Sequence, residues 1–152
     1  MLGIIINPKS GKKAFRRQRL YLWKLLKKRH QPFTYRVTKY AGHAIELARE
    51  LVETGHDQIL VLGGDGTLIR VATGSRKSHV PLIGVNLGTL GYLCELEEET
   101  VFTAIDSLMN GEYKIDERMM LQGKRTGEEH GKSALNDVVI HRSGNLSLLS
   151  LL

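Results

Sequence analysis

The sequence predicts an α/β fold in which a parallel sheet carries helices on both faces, followed by the start of an antiparallel β unit. Short aliphatic runs alternate with amphipathic stretches over residues 2–111. This alternation is typical of parallel strands joined by right-handed helical crossovers. After Gly111 the helical periodicity stops and strand-like runs follow one another. We therefore expect an α/β domain over residues 1–112 and the beginning of a β-rich second domain, incomplete in this chain, over residues 113–152.

Three strand–helix pairs account for the first half of the chain. The strand-like runs are short and are either continuously apolar or alternating: Leu2–Asn7, Phe33–Lys39 and Gln58–Leu62. Each precedes a stretch with apolar residues at helical spacing: the basic segment up to Arg29, Ala44–Val52 and Leu68–Ala72. The resulting β-α-β-α-β-α order is Rossmann-like.

The second half adds one more strand–helix pair before the pattern changes. Pro81–Asn86 is the predicted strand, and Val101–Met109 carries the apolar stripe of a helix that follows three glutamates and ends at Asn110-Gly111. Beyond that point a charged turn around residues 124–132 interrupts the predicted strands, which are Tyr113–Gln122, Ser133–His141 and the residues from Leu146 onward.

The positive charge of the chain is concentrated near its beginning. The 152 residues carry a net charge of +6, and ten basic residues lie between Lys9 and Arg29, before the first acidic residue, Glu46. Apolar residues recur among them at helical spacing, so a solvated helix face is the favoured interpretation and attraction of nucleotide phosphates is the functional alternative. Nucleic-acid binding is disfavoured because no zinc-finger spacing, helix-turn-helix pattern or aromatic-rich strand motif accompanies the charge.

Cysteine usage and the start of the chain favour a cytoplasmic location. Cys94 is the only cysteine, which excludes an intrachain disulfide and a cysteine cluster for zinc. We interpret it as a small buried hydrophobe, in preference to a catalytic thiol. Leu2–Ile6 follows Met1 without a basic leader and is too short to span a bilayer. We therefore expect a cytoplasmic protein without a membrane partner.

Two glycine-bearing loops, Gly63–Thr67 and Leu87–Tyr92, follow predicted strands. Parallel sheets bind ligands outside the carboxyl ends of their strands, and glycines let backbone N–H groups approach a phosphate. The candidate phosphate-binding loop consists of Gly63, Gly64, Gly66 and Thr67. Asp65 would hold a cation there or take a proton from an attacking hydroxyl, and both tasks belong to phosphoryl transfer. The structural alternative is that Asp65 or Thr67 caps the following helix.

Other nucleotide and metal motifs are absent from the sequence. There is no G-x-x-x-x-G-K-[ST] loop, and Gly64-Asp65-Gly66 lacks the third glycine of G-x-G-x-x-G because Ile69 stands in its place. The six histidines show no metal-ligand pairing, so we interpret them as surface or turn residues and assign no metal ligand in the protein.

Three segments, taken together and in this order, resemble the NAD kinases. They are Gly63-Gly64-Asp65-Gly66-Thr67-Leu68-Ile69-Arg70, Gly84-Val85-Asn86-Leu87-Gly88-Thr89-Leu90-Gly91-Tyr92 and Ala134-Leu135-Asn136-Asp137-Val138-Val139. The first is shared with diacylglycerol and sphingosine kinases, as is the opening Asn7-Pro8-Lys9-Ser10-Gly11. The second and third separate the families, because lipid kinases carry a Pro-x-Gly-Thr-Gly-Asn-Asp type segment in place of the second.

The resemblance implies roles for individual residues. Asp65 would deprotonate the adenosine-ribose 2′-hydroxyl of NAD, which then attacks the terminal phosphate of ATP or polyphosphate, with Mg²⁺ as the accompanying ion. The residues implied in NAD binding are Asp65, Gly66, Arg70, Tyr92, Asn136 and Asp137. Each of the last four has a structural alternative: a solvated helix face for Arg70, a core position, which we favour, for Tyr92, and a strand-edge turn for Asn136 and Asp137.

The predicted function is therefore that of an NAD kinase, and the resemblance also implies a homo-oligomer. NAD kinases continue into a larger antiparallel domain with a Thr-Gly-Ser-rich motif, and this chain is expected to contain only its start. Two alternatives remain open: a lipid kinase of the same superfold, and a catalytically inactive dinucleotide-binding fragment. A basic nucleic-acid-binding module resting on Lys9–Arg29 is the weakest interpretation.

Overall fold

The structure is a computed structural model that describes residues 1–10, 15–87, 91–97 and 100–137. Its strands are β1 (Leu2–Ile6), β2 (Phe33–Val37), β3 (Gln58–Gly63), β4 (Leu82–Asn86), β5 (Leu96–Glu97), β6 (Leu121–Gly123) and β7 (Lys132–Ala134). Its helices are α1 (Phe15–Lys28), α2 (His43–Glu53), α3 (Asp65–Ser75) and α4 (Val101–Met109). The chain divides into two compact units, Met1–Glu117 and Arg118–Leu152.

The first unit is built on a five-stranded parallel sheet in the order β2-β1-β3-β4-β5. All five residues of β1 are buried, and β1 lies between β2 and β3, as its continuous aliphatic sequence predicts. In the pairing of β3 with β4, Gly63 lies opposite Asn86. The carboxyl ends of these two strands therefore lie side by side, and the two glycine-bearing loops begin from neighbouring points.

Helices cover both faces of this sheet, which confirms the predicted fold class. One buried cluster joins alternate strand residues such as Ile4 and Leu60 to α1 and α4. The other joins the residues pointing the opposite way, such as Ile5 and Val61, to α2 and α3. Because successive side chains of a strand point to opposite faces, β1, β3 and β4 contribute to both clusters.

Three sequence-based assignments need correction. The predicted strand Tyr113–Gln122 is mostly irregular, and β6 begins only at Leu121; residues 111–119 are exposed, so their alternation has no core to face. The fifth strand of the sheet, Leu96–Glu97, was missed because two residues are too few for a periodic signal. His56, interpreted from the sequence as a surface or turn residue, is buried, with hydrogen bonds to Thr34 and to the carbonyl of Leu51.

The second unit contains an antiparallel pair, β6 with β7, joined by a charged connection as predicted. The predicted strand Ser133–His141 is represented by β7 up to Ala134, and its residues after Asp137, together with the run from Leu146 onward, lie outside the described residues. The boundary placed at residue 112 stays a prediction. Within the described ranges, no helix has both the length and the apolar character needed to cross a membrane.

Candidate active site

Asp65 lies at the point where β3 turns into α3, in the first turn of the helix. One carboxylate oxygen, Oδ2, accepts a hydrogen bond from the backbone N–H of Tyr92 at 2.6 Å. The other, Oδ1, accepts one from the backbone N–H of Cys94 at 3.0 Å. The carboxylate therefore joins the loop after β3 to the segment that follows β4, which brings together the two regions singled out in the sequence.

These contacts keep Asp65 ionised. Desolvation by burial acts to raise the pKa of Asp65, but it is outweighed by hydrogen bonds from the backbone N–H groups of Tyr92, Cys94 and Leu93 and from the Cys94 side chain, so the pKa lies below its ordinary value. The first turn of a helix also favours negative charge. Desolvation, with the neighbouring Asp65 carboxylate, raises the pKa of Cys94 to about 12, so at neutral pH Cys94 is a thiol.

Capping of α3 by Asp65 or Thr67, the structural alternative, is not what the structure shows. The cap residue is Gly64, and no side-chain hydrogen bond caps this end of the helix. Asp65 is directed to the 91–94 segment instead, and the buried Thr67 hydroxyl accepts a hydrogen bond from the side-chain amide of Asn7 at 3.0 Å.

The glycines of the loop serve different purposes. A Cβ on Gly63 would lie 2.7 Å from both Cβ and Oγ1 of Thr67, so Gly63 is required for packing between β3 and α3. Gly64 has ordinary space, with the nearest atom 3.6 Å from an added Cβ, whereas a Cβ on Gly66 would lie 3.3 Å from the guanidinium of Arg70. A Cβ on Gly91 would lie 2.6 Å from Oδ1 of Asp65. Gly64 is thus the position where a ligand could approach the backbone, and Gly91 makes room for the catalytic candidate.

Asn7 connects the turn after β1 to this loop. Besides its bond to Thr67, the side-chain amide nitrogen of Asn7 donates to the hydroxyl of Ser10 at 2.9 Å. The side-chain oxygen, Oδ1, accepts from the backbone N–H of Lys9 at 3.1 Å. The same oxygen receives a long hydrogen bond from the hydroxyl of Thr38, 3.5 Å away. The opening motif Asn7–Ser10 is therefore part of the site, although the chemistry assigned from the sequence did not use it.

A polar cleft of about 190 Å³ opens beside Asn7. We call it the basic cleft; its lining residues are Asn7, Lys9, Thr38, Lys39, Tyr40, Ala41, Gly42, Ala44, Thr67 and Arg70. Three of these carry positive charge, and none carries negative charge. They come from the ends of β1 and β2, the start of α2 and the first turns of α3, so the cleft lies at the carboxyl edge of the sheet, where parallel sheets bind ligands.

The structure places the predicted NAD-binding residues in three different surroundings. Arg70 lines the basic cleft, and its guanidinium donates to the carbonyl of Gly66 at 2.7 Å. The Tyr92 side chain is 89% exposed, so the core position that we favoured for it is wrong. Asn136 and Asp137 lie in the second unit, both exposed, just after β7. The NAD-binding roles of these residues stay predictions.

Sequence reasoning missed most of the basic cleft. Lys39, Tyr40 and Gly42 occupy a connection between a strand and a helix that looks like any polar turn. These residues could have been found only from the strand order of the sheet, because β2 lies next to β1 and brings this turn beside Asn7.

A family model described as the ATP-NAD kinase N-terminal domain matches residues 24–113. The chain belongs to the NAD kinase family. Among curated relatives, the NAD kinase of Agathobacter rectalis is 64% identical over 93 residues, a match that covers 61% of this chain and 33% of the relative. Another NAD kinase match, in Heliobacterium modesticaldum, covers 50% of the relative, so this chain spans between a third and a half of these NAD kinases.

Solved structures with this fold include members of both kinase groups. Yeast NADH kinase, complexed with NADH, has a TM-score of 0.54 and 15% identity, with 88% of this chain and 46% of that chain covered. At that identity the likeness shows the fold alone. A diacylglycerol kinase from Bacillus anthracis str. Sterne has a TM-score of 0.51 and 27% identity, with 58% of this chain and 31% of that chain covered.

Proposed function

We propose that the whole protein phosphorylates the adenosine-ribose 2′-hydroxyl of NAD to give NADP, with ATP or polyphosphate as the phosphate donor. The observation that carries this proposal is that Asp65 lies within the residues that match the NAD kinase family model. The start of α3 presents an ionised carboxylate to the 91–94 segment, and Thr67 and Arg70 of the same helix line the basic cleft. The same helix thus supplies a proton acceptor, Asp65, and one of the three positive charges of the basic cleft, Arg70, and phosphoryl transfer needs both kinds of group.

In the proposed reaction the ribose 2′-oxygen forms a bond to the terminal phosphorus of the donor. The bond between that phosphorus and the bridging oxygen breaks, and the shortened donor leaves. The hydroxyl proton passes to Asp65.

The basic cleft is the proposed site for the phosphates of the donor. Lys9, Lys39 and Arg70 supply charge, and the space at Gly64 lets a phosphate approach backbone N–H groups at the start of α3. Mg²⁺ is proposed to arrive with the donor, since Mg²⁺ is usually held by substrate phosphates and one or two carboxylates. Among the described side chains, there is no group of three or more His, Cys, Asp or Glu residues that could hold an ion.

NAD is proposed to lie on the other side of Asp65, along the 91–94 segment. The exposed ring of Tyr92 is available to stack on adenine. Gly66, which has no side chain, is proposed to let the dinucleotide lie close to the backbone. Asn136 and Asp137, whose amide and carboxylate suit ring nitrogens and ribose hydroxyls, are also proposed to bind NAD. A homo-oligomer and a cytoplasmic location are part of the same proposal.

A lipid kinase is the second candidate, and the fold shared with a diacylglycerol kinase favours it. Against it stands the segment from Asn86 to Tyr92, which resembles NAD kinases, and the family match over residues 24–113. The direct comparison is phosphate transfer to NAD and to diacylglycerol by the same preparation. A product from diacylglycerol alone would replace the proposed function.

The central experiment measures NADP formation from NAD, ATP and Mg²⁺. The parent chain is compared with Asp65→Asn. The matched control is Asp106→Asn, because Asp106 is an exposed aspartate of α4 whose carboxylate pairs with Arg29. We expect Asp65→Asn to lose at least about two orders of magnitude in rate, as for removal of a general base. Asp106→Asn should keep the parent rate.

The outcomes separate the candidates. Loss of turnover in both aspartate variants alike would mean that Asp65 has no special role. A folded chain that forms no NADP but binds NAD is the inactive dinucleotide-binding fragment. A folded chain that neither forms NADP nor binds NAD contradicts the proposal.

A further inference from the structure

We propose that Tyr40, stacked on His43 at the rim of the basic cleft, is a platform for the base of a nucleoside triphosphate and makes this site prefer such a donor over inorganic polyphosphate. The proposal rests on the donor site proposed above. It decides between two donors that the positive charge of the cleft does not distinguish, because both present a chain of phosphates.

The two rings form a fixed stacked pair. Their centroids are 4.4 Å apart and their planes differ by 18°. The Tyr40 hydroxyl donates a 2.6 Å hydrogen bond to Glu46, and Nδ1 of His43 accepts one from the backbone N–H of Lys39 at 3.1 Å. Both ring orientations are therefore set before any ligand binds.

Core packing does not account for the Tyr40 ring. Tyr40 is absent from both buried clusters and is 54% exposed, yet its position is set by Glu46 and His43. The hydrogen bond to Glu46 holds the pKa of Tyr40 above its ordinary value, so the phenol stays protonated and is no candidate for a base. An exposed, oriented aromatic ring beside a phosphate site is suited to stacking on a nucleobase.

The residues of the basic cleft are proposed to recognise two different parts of the donor. Lys9, Lys39 and Arg70 act on phosphate charge, which ATP and tripolyphosphate share. Tyr40 acts on the base, which only ATP has. Removing the ring should therefore change the affinity for ATP and leave the affinity for tripolyphosphate as it was.

The experiment measures dissociation constants for ATP and for tripolyphosphate, each with Mg²⁺ and without NAD. In Tyr40→Leu we expect ATP to bind about tenfold more weakly, as for the loss of one base–aromatic stack, with tripolyphosphate unchanged. Tyr40→Phe keeps the ring and should stay within about twofold of the parent for both ligands. Tyr35→Leu is the matched control, because Tyr35 is a half-exposed tyrosine whose ring lies beside that of Trp23 and does not line the cleft.

Three results would overturn the inference. They are an unchanged ATP affinity in Tyr40→Leu, an equal loss for tripolyphosphate, and failure of both ligands to bind the folded parent. Thermal unfolding of each variant shows whether it is folded. Because donor binding is measured without NAD, absence of NADP formation would count against the proposed function and leave the test of Tyr40 intact.

Discussion

The packing of the glycine loop gives a prediction in which two adjacent glycines respond in opposite directions. In Gly63→Ala the new Cβ would lie 2.7 Å from Cβ of Thr67, well inside the ~3.5–4.0 Å of a normal carbon–carbon contact. Rotation of the Thr67 side chain cannot relieve this contact, because Cβ is fixed by the backbone. Helix α3 must therefore move away from β3.

The magnitude follows from two opposing terms. Overpacking of a buried position costs about 1–3 kcal/mol, and replacing glycine by alanine returns about 0.4–1 kcal/mol through the unfolded chain. Gly63→Ala should lose about 1–2 kcal/mol of unfolding free energy. In Gly64→Ala the nearest atom is Oδ1 of Asn86 at 3.6 Å and φ is −159°, an extended conformation that alanine adopts, so only the favourable term applies.

Urea unfolding measures the difference. With a slope of about 2 kcal/mol/M, the midpoints of the two variants should differ by about 1 M, with Gly63→Ala the lower. Midpoints that coincide, or a lower midpoint for Gly64→Ala, would refute the argument that Gly63 is required by Thr67. The same pair bears on function, since Gly64→Ala should weaken binding of ATP if a phosphate approaches the backbone there.

Two further predictions concern Asp65 and its neighbour. Cys94 should react with iodoacetamide at pH 8 far more slowly than a free thiol, because a pKa of about 12 lowers the thiolate fraction roughly a thousandfold. Asp65→Asn should speed the reaction. A parent rate equal to that of glutathione would contradict the raised pKa of Cys94. Because the folded pKa of Asp65 is lowered, its ionisation stabilises the fold at pH values above its ordinary pKa of 3.8, and this contribution is lost as the pH falls through the folded pKa. The stability difference between parent and Asp65→Asn should thus be present at pH 7 and shrink below about pH 4, and urea midpoints that differ equally at pH 7 and pH 3 would argue against it.

The parallel sheet could be predicted because burial on both faces leaves a continuous aliphatic signal. β1 and β3 show it, and the helices between them show periodicity. Tyr113–Gln122 shows the limit of this reasoning, since alternation predicts a strand only where one face meets a core. The exposed residues 111–119 meet none.

The sequence predicts the candidate-site residues that lie together in one loop, and predicts less well those that only the strand order brings together. Asp65 and its glycines are adjacent in sequence. Lys39 and Tyr40 join Asn7 and Arg70 only because β2 is placed beside β1. An α-β pattern predicts parallel strands, but it does not state which strands are neighbours. The surroundings of Tyr92 were equally hidden, because an aromatic residue in an apolar segment usually indicates core.

The hydrogen bonds that lower the pKa of Asp65 also set what it can contribute to the proposed reaction. A general base works best when its pKa lies near the working pH, so a carboxylate with a lowered pKa is a weak base at neutral pH. In phosphoryl transfer through a loose transition state, positioning and electrostatics account for most of the catalysis, and little basicity is needed. On this argument Asp65 serves chiefly by holding the 2′-hydroxyl in line with the donor phosphate and by accepting its proton late. The backbone bonds from Tyr92 and Cys94 then assist catalysis by fixing the carboxylate, and a rate that depends only weakly on pH between about 6 and 8 is the expected sign of an acceptor that is ionised throughout this range.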